Sequence, residues 1–183
     1  MYFCIMKLKV FTFLLLFLFT SELLAFQLPK RIYKKIQKEL VKTFDTKNVK
    51  LVEMSISKDV NAQLSKPIGA TNFFKIISSE TNLGYAYIAK APSKTDQFDY
   101  LIILDKNLII KKTKILVYRE DYGGEIGSKR WLKQFSGKSS KDQLKYNKDI
   151  IAISGATISA LSMTQAVNLF LSDLAILQQN NIF

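Results

Sequence analysis

The sequence predicts an α+β fold in a single domain, a mainly antiparallel sheet with an N-terminal helix and a long C-terminal helix. Three observations point there. Apolar residues recur at helical spacing over residues 29–44 and 156–177, the stretch between them reads as strands joined by polar turns, and no low-complexity linker divides the chain. Beyond an N-terminal leader, about 158 residues remain, the size of one ordinary domain with one core.

Residues 1–25 read as an export signal. Lys7 and Lys9 supply a positive start, residues 10–19 form an apolar run, and Leu23-Leu24-Ala25 ends in a small residue suited to cleavage before Phe26. Met6-Lys7 would open a more ordinary signal than Met1. The run of about ten residues is short for a bilayer span, which needs roughly 20, so cleavage is expected, with an uncleaved anchor as the alternative.

Residues 26–48 form a basic helical segment. Ile32, Tyr33, Ile36, Leu40, Val41 and Phe44 make an apolar stripe with lysines between them, expected to pack on the body; a membrane surface is the alternative. Residues 49–183 form the main domain. Residues 49–56 alternate like a strand, and residues 73–78 and 85–89 suggest a hairpin around Asn82-Leu83-Gly84. Residues 98–104 and 108–118 suggest a second hairpin around Asp105-Lys106-Asn107. The expected core is Phe73, Ile76, Tyr87, Leu101, Ile103, Ile109, Ile115 and Val117. Gly123, Gly124 and Gly127 gather three of the seven glycines in one loop, residues 131–135 suggest a short helix, and residues 150–153 a short strand. The last helix is expected to turn Leu161, Ala166, Leu169, Phe170, Leu174 and Leu177 inward.

Composition removes several chemistries. The single cysteine, Cys4, lies in the leader and there is no histidine, so a His-based triad, a c-type haem, a Cys/His zinc site and an iron–sulfur cluster are excluded. Redox chemistry on this chain would need an organic cofactor. Lys and Arg number 27 against 15 Asp and Glu, a formal net charge of +12, and residues 26–183 keep about +11. Such a surface suits anionic lipid or an acidic redox partner; nucleic acid is not expected, because no binding motif is visible in an exported chain.

Ser154-Gly155-Ala156-Thr157 concentrates the chemistry. Small residues before a helix let free backbone N–H groups and the positive helix end face an anion, and a phosphate is the natural guest. Gly155 permits a close turn, Ala156 leaves room, and Thr157 brings a hydroxyl to the rim. In the plainer reading Ser154 is an ordinary N-cap.

Residues 152–159, Ala-Ile-Ser-Gly-Ala-Thr-Ile-Ser, preceded by the glycine loop and residues 131–137, resemble the FMN-binding domain family. That family includes the flavin-bearing C and G subunits of the sodium-translocating NADH:quinone oxidoreductase and of Rnf complexes, and many small exported proteins. The resemblance spans roughly residues 73–174 and implies that residues 49–183 are an FMN-binding domain. It implies FMN as cofactor, joined through its phosphate to Thr157 by a flavin transferase that uses FAD and a divalent metal. Ser154, Gly155 and Ala156 would cradle the phosphate, while Gly124, Glu125, Ile126 and Gly127 approach the flavin or its ribityl chain. The family pattern places an aspartate three residues before the serine; here that residue is Ile151, with Asp149 two residues earlier. The departure leaves non-covalent FMN as an alternative to the ester.

The resulting expectation is an exported electron carrier, periplasmic or on the outer face of the cytoplasmic membrane, served by redox partner proteins at the membrane. It has no catalytic residue or metal of its own. Tyr122 or Trp131 is a candidate to stack on the ring, Trp131 otherwise belonging to the core, and Lys129, Arg130 and Lys133 are candidates for an acidic partner or for reduced flavin. The alternatives are a flavin-dependent reductase of a small extracytoplasmic substrate and a non-redox membrane-surface protein that has lost flavin.

Overall fold

The computed structural model describes residues 28–183, so the expected leader at 1–25 lies outside the described residues. Its elements are α1 (Lys30–Phe44), β1 (Lys50–Glu53), α2 (Lys58–Asn61), β2 (Phe73–Ser78), β3 (Thr81–Pro92), β4 (Gln97–Asp105), β5 (Ile110–Val117), a 3-10 turn (Gly124–Gly127), α3 (Lys129–Leu132), a second 3-10 turn (Lys133–Phe135) and α4 (Thr157–Gln179). The five strands form one antiparallel sheet in the order β1-β2-β3-β4-β5, each beside its neighbour in sequence. This is the α+β architecture expected from the sequence.

Two helices cover the two sheet faces. On one face Ile36 and Leu40 of α1 pack with Phe74, Ile76, Ala86, Ile88, Leu101 and Ile103. On the other, Met163, Val167, Phe170 and Leu174 of α4 pack with Phe73, Tyr87, Tyr100 and Ile102. Burial from both sides explains why β4 reads Tyr100-Leu101-Ile102-Ile103-Leu104 without a polar alternate. The expected core is therefore split between two layers. Ile109 is only half-buried beside the turn, where its N–H bonds Asp105 Oδ1 at 3.0 Å, and Ile110 takes the buried position; Ile115 and Val117 are half-buried too.

The first hairpin turns earlier than expected. Ser79 and Glu80, with φ of 46° and 63°, form a two-residue turn closed by the Ser78–Thr81 pair. Two positive-φ residues match the right-handed strand twist. Gly84 lies within β3 instead, where a Cβ would come 2.0 Å from the Leu104 carbonyl oxygen.

α4 is rotated from its expected register. Leu161 and Leu169 are 39% and 42% exposed, while Ala160, Met163, Val167 and Leu171 join Phe170, Leu174 and Leu177 inside. The helix is apolar nearly all round, so spacing alone does not define its inner face. Two polar residues turn inward onto partners, Thr164 Oγ1 donating to the Ala160 carbonyl at 2.8 Å and Asp173 Oδ1 accepting the Ser65 N–H at 2.7 Å, whereas the buried Ser162 hydroxyl has none among the described residues.

The expected strand at residues 150–153 is loop, apart from a single bridge between Tyr146 and Ile150. Side chains take the backbone groups a neighbouring strand would have used. Trp131 Nε1–H donates to the Ile151 carbonyl at 2.7 Å, and the Ile151 N–H donates to Gln134 Oε1 at 2.8 Å.

Candidate functional site

The loop of residues 150–156 delivers the chain to the mouth of α4. Gly155 adopts φ of 80° with open space where a Cβ would stand, and Ala156, the residue before the helix, caps no N–H with its side chain. Ser154, exposed, is not the cap. Ala160 N–H is the first to bond back, to the Ala156 carbonyl at 2.8 Å. The N–H groups of Thr157, Ile158 and Ser159 thus form the uncapped positive end of a 23-residue helix.

An open cleft of about 390 Å³ lies over that end, lined by Lys94, Tyr118, Glu120, Tyr122 and residues 155–159. The volume falls in the roughly 300–1,000 Å³ range of small-molecule sites. Thr157 is exposed within it, and Tyr122, 86% exposed, stands at its rim. Below them Tyr118 Oη and Ser159 Oγ are 3.1 Å apart, tying the end of β5 to the first turn of α4.

The cleft carries one cation and one carboxylate. Glu120 Oε1 accepts the Thr95 N–H at 2.7 Å. The Ser93 hydroxyl, that N–H and the neighbouring N–H groups of Asp96 and Lys94 hold the Glu120 carboxyl below its usual range. Its charge is spent on the turn that presents Lys94.

The glycine loop reaches the mouth through a residue the sequence reading did not select. Gly123, at φ of 83°, leaves only 2.7 Å from a built Cβ to Tyr118 Oη, 3.2 Å to the Gly155 carbonyl and 3.4 Å to the Ala156 Cβ. Gly124, Glu125, Ile126 and Gly127 form the following 3-10 turn; Ile126 is fully buried, and none of the four lines the cleft. Gly124 and Gly127 have nothing within 4 Å of a built Cβ. The structure brings Gly155, Ala156 and Thr157 together at the cleft and leaves Ser154 beside it.

Residues 94–172 match the FMN-binding domain family. That span contains the whole cleft, from Lys94 to Ser159, and FMN is the cofactor the match supports. The chain is also similar in structure to NqrC of Shewanella oneidensis, with a TM-score of 0.56 and 14% identity over 79% of this chain and 93% of that one. At that identity the likeness is one of fold. No curated protein sequence matches the chain.

The remaining candidates separate. Trp131 is buried against Phe135, ring centroids 5.2 Å apart, and belongs to the core, whereas Tyr122 stays at the cleft. Lys129 and Lys133 line a different recess, beyond the 3-10 turn. Asp149, two residues before Ile151, accepts the Lys145 N–H at its Oδ2 at 2.8 Å and closes its own turn. Ile151 is 69% exposed, so the departure costs the core nothing.

Proposed function

We propose that this chain is an exported electron-transfer protein that holds FMN by its phosphate at the mouth of α4, with Thr157 Oγ1 as the point of esterification. One observation carries this reading: an exposed threonine on an uncapped helix end, facing a cleft inside the segment that matches an FMN-binding domain. When bound, the flavin supplies reversible one- and two-electron transfer. The chain's own residues do the holding. Backbone N–H groups of residues 157–159 and the helix dipole balance the phosphate charge, Gly155 and Ala156 let it approach, and Lys94 adds a cation. Tyr122 offers a flat apolar face to the ring.

The ester forms when the Thr157 hydroxyl attacks the riboflavin phosphate of FAD, with AMP leaving and the hydroxyl proton passing to a base. Glu120, the carboxylate of the cleft, is engaged by the 93–96 turn, so that base comes from the transferase. The periplasmic side, or the outer face of the cytoplasmic membrane, is the compartment that the basic, apolar leader favours. A flavin held at this open cleft would exchange electrons with redox partner proteins at the membrane.

Co-expression with a flavin transferase in an export-competent host tests the reading. A fluorescent band on a denaturing gel and an added FMN mass are expected, both lost in Thr157→Ala. A colourless, unlabelled wild-type protein that also binds no FMN in titration would overturn it. Ile151→Asp restores the family carboxylate at an exposed position and is expected to raise the labelled fraction.

A further inference from the structure

A recess of about 190 Å³, sharing no lining residue with the cleft, is lined by Glu39 of α1, Lys112 and Lys114 of β5, Gly127, and Lys129 and Lys133 around α3. Pairing of Lys112 with Ile103 and Lys114 with Leu101 puts both lysines on the α1 side of the sheet, where they meet Glu39. Lys112 Nζ lies 2.6 Å from Glu39 Oε2, and Lys114 Nζ 3.9 Å from Oε1. One carboxylate thus shares a recess with four ammonium groups and pairs with two of them. Among the described residues Lys129 and Lys133 make no ion pair. The cations outnumber the anions by three in a concave site, where an arriving anion gains from all of them.

We propose that this recess docks a carboxylate-rich segment of an acidic redox partner protein, whose side chains take the place that Glu39 only partly fills. Its position gives the docking a purpose. Gly127 lines the recess and Gly123, at the other end of the turn, touches Gly155 and Ala156 at the helix mouth. Four residues of 3-10 geometry span about 8 Å, so the recess and the cleft back onto one short turn. A segment held there brings its protein beside the flavin. Shape decides between the anionic partners. Lys112 and Lys114 are only 28% and 33% exposed, set back where a protruding carboxylate reaches them and a flat lipid surface does not.

The role in electron transfer rests on the flavin reading above, whereas the binding itself does not, and the experiment separates them. The full chain is titrated with a fluorescent octaglutamate peptide, and its flavin labelling is measured in parallel. Saturable binding is expected, weakened about tenfold in K129E/K133E by the reversal of two modest charge contributions. Glu39→Gln, which removes the internal competitor, is expected to tighten it severalfold. K129E/K133E should take up flavin as the wild type does. Equal peptide affinity in the double variant and the wild type would overturn the proposal. So would sedimentation with phosphatidylglycerol–phosphatidylcholine vesicles that depends on Lys129 and Lys133 while octaglutamate fails to bind, which would assign the recess to a membrane. A wild-type protein that neither takes up flavin label nor binds FMN, with peptide binding intact, overturns the flavin reading alone.

Discussion

Gly123 and Gly155 lie close together at the mouth of α4, both at positive φ, and a Cβ on Gly123 would stand 3.2 Å from the Gly155 carbonyl oxygen. Gly123→Ala would drive a Cβ to 2.7 Å from Tyr118 Oη in a backbone conformation unfavourable to L-residues. A loss of about 1–3 kcal/mol is expected from urea unfolding, with lower flavin yield. Gly124→Ala, whose Cβ meets nothing within 4 Å, should stay within about 0.5 kcal/mol of wild type. Equal effects in the two would show that the contact across the mouth carries no strain. The contrast also marks what was readable. A glycine cluster was visible, but which glycine mattered depends on Tyr118 and on Gly155, 32 residues away, and no local pattern carries that. That Thr157 stands at the cleft with Gly155 and Ala156 was legible because these neighbours in sequence are also neighbours there.

At the scale of elements, α4 combines an inner face that fills the core with an outer face bearing Ile158, Leu161 and Leu169. Phe170 stacks on Tyr87 at 4.1 Å between centroids and 6° between planes, so Phe170→Ala is expected to cost about 3–5 kcal/mol in chemical denaturation. Leu169→Ala, one residue away, should cost under about 1 kcal/mol. A large loss for Leu169 would mean that its face is covered in solution. The helix itself was plain from its length, whereas its rotation was not. Buried Thr164 and Asp173 take inward positions that a hydrophobicity pattern assigns outward, because their partners, a carbonyl one turn back and the Ser65 N–H, are invisible to periodicity. The hairpin order was legible from alternating apolar runs and polar turns. The Ser79–Glu80 turn was missed because neither residue is a usual positive-φ type.

For the whole molecule, pH acts at both ends of the scale. Burial pushes the Glu39 carboxyl up, but the Lys112 hydrogen bond and the charges of Lys112, Lys114 and Lys42 outweigh it and leave the pKa lowered. A lowered carboxylate stabilises the fold above its unfolded pKa and loses that contribution as pH falls through the folded value. Acid denaturation should therefore begin earlier for wild type than for Glu39→Gln relative to each protein's stability at neutral pH. At the alkaline end, burial first and the Asp173 charge second raise the Tyr87 hydroxyl to about 12, against a small opposing hydrogen bond from Tyr100. The neutral phenol is favoured only in the folded state, so this stabilisation is complete below about pH 10 and declines as pH rises toward 12. Thermal melts across that interval should fall with pH, and Tyr87→Phe should flatten the fall. A slope unchanged by the substitution would place the alkaline sensitivity elsewhere.

Trp131 is the single tryptophan in the chain, and its indole N–H holds the carbonyl of Ile151, three residues before Ser154. The core therefore contains one indole emitter, selectively excited at the red edge of protein absorption, fastened to the strap that leads to the α4 mouth. Flavins absorb where indole emits, so a flavin held at the mouth of α4 would take excitation energy from Trp131. Intrinsic emission should be dim in flavin-loaded protein and bright in Thr157→Ala, turning loading into a signal read without a dye or a label. Equal brightness in the two, with flavin present in one, would place the flavin beyond energy-transfer distance of Trp131 and so away from the α4 mouth.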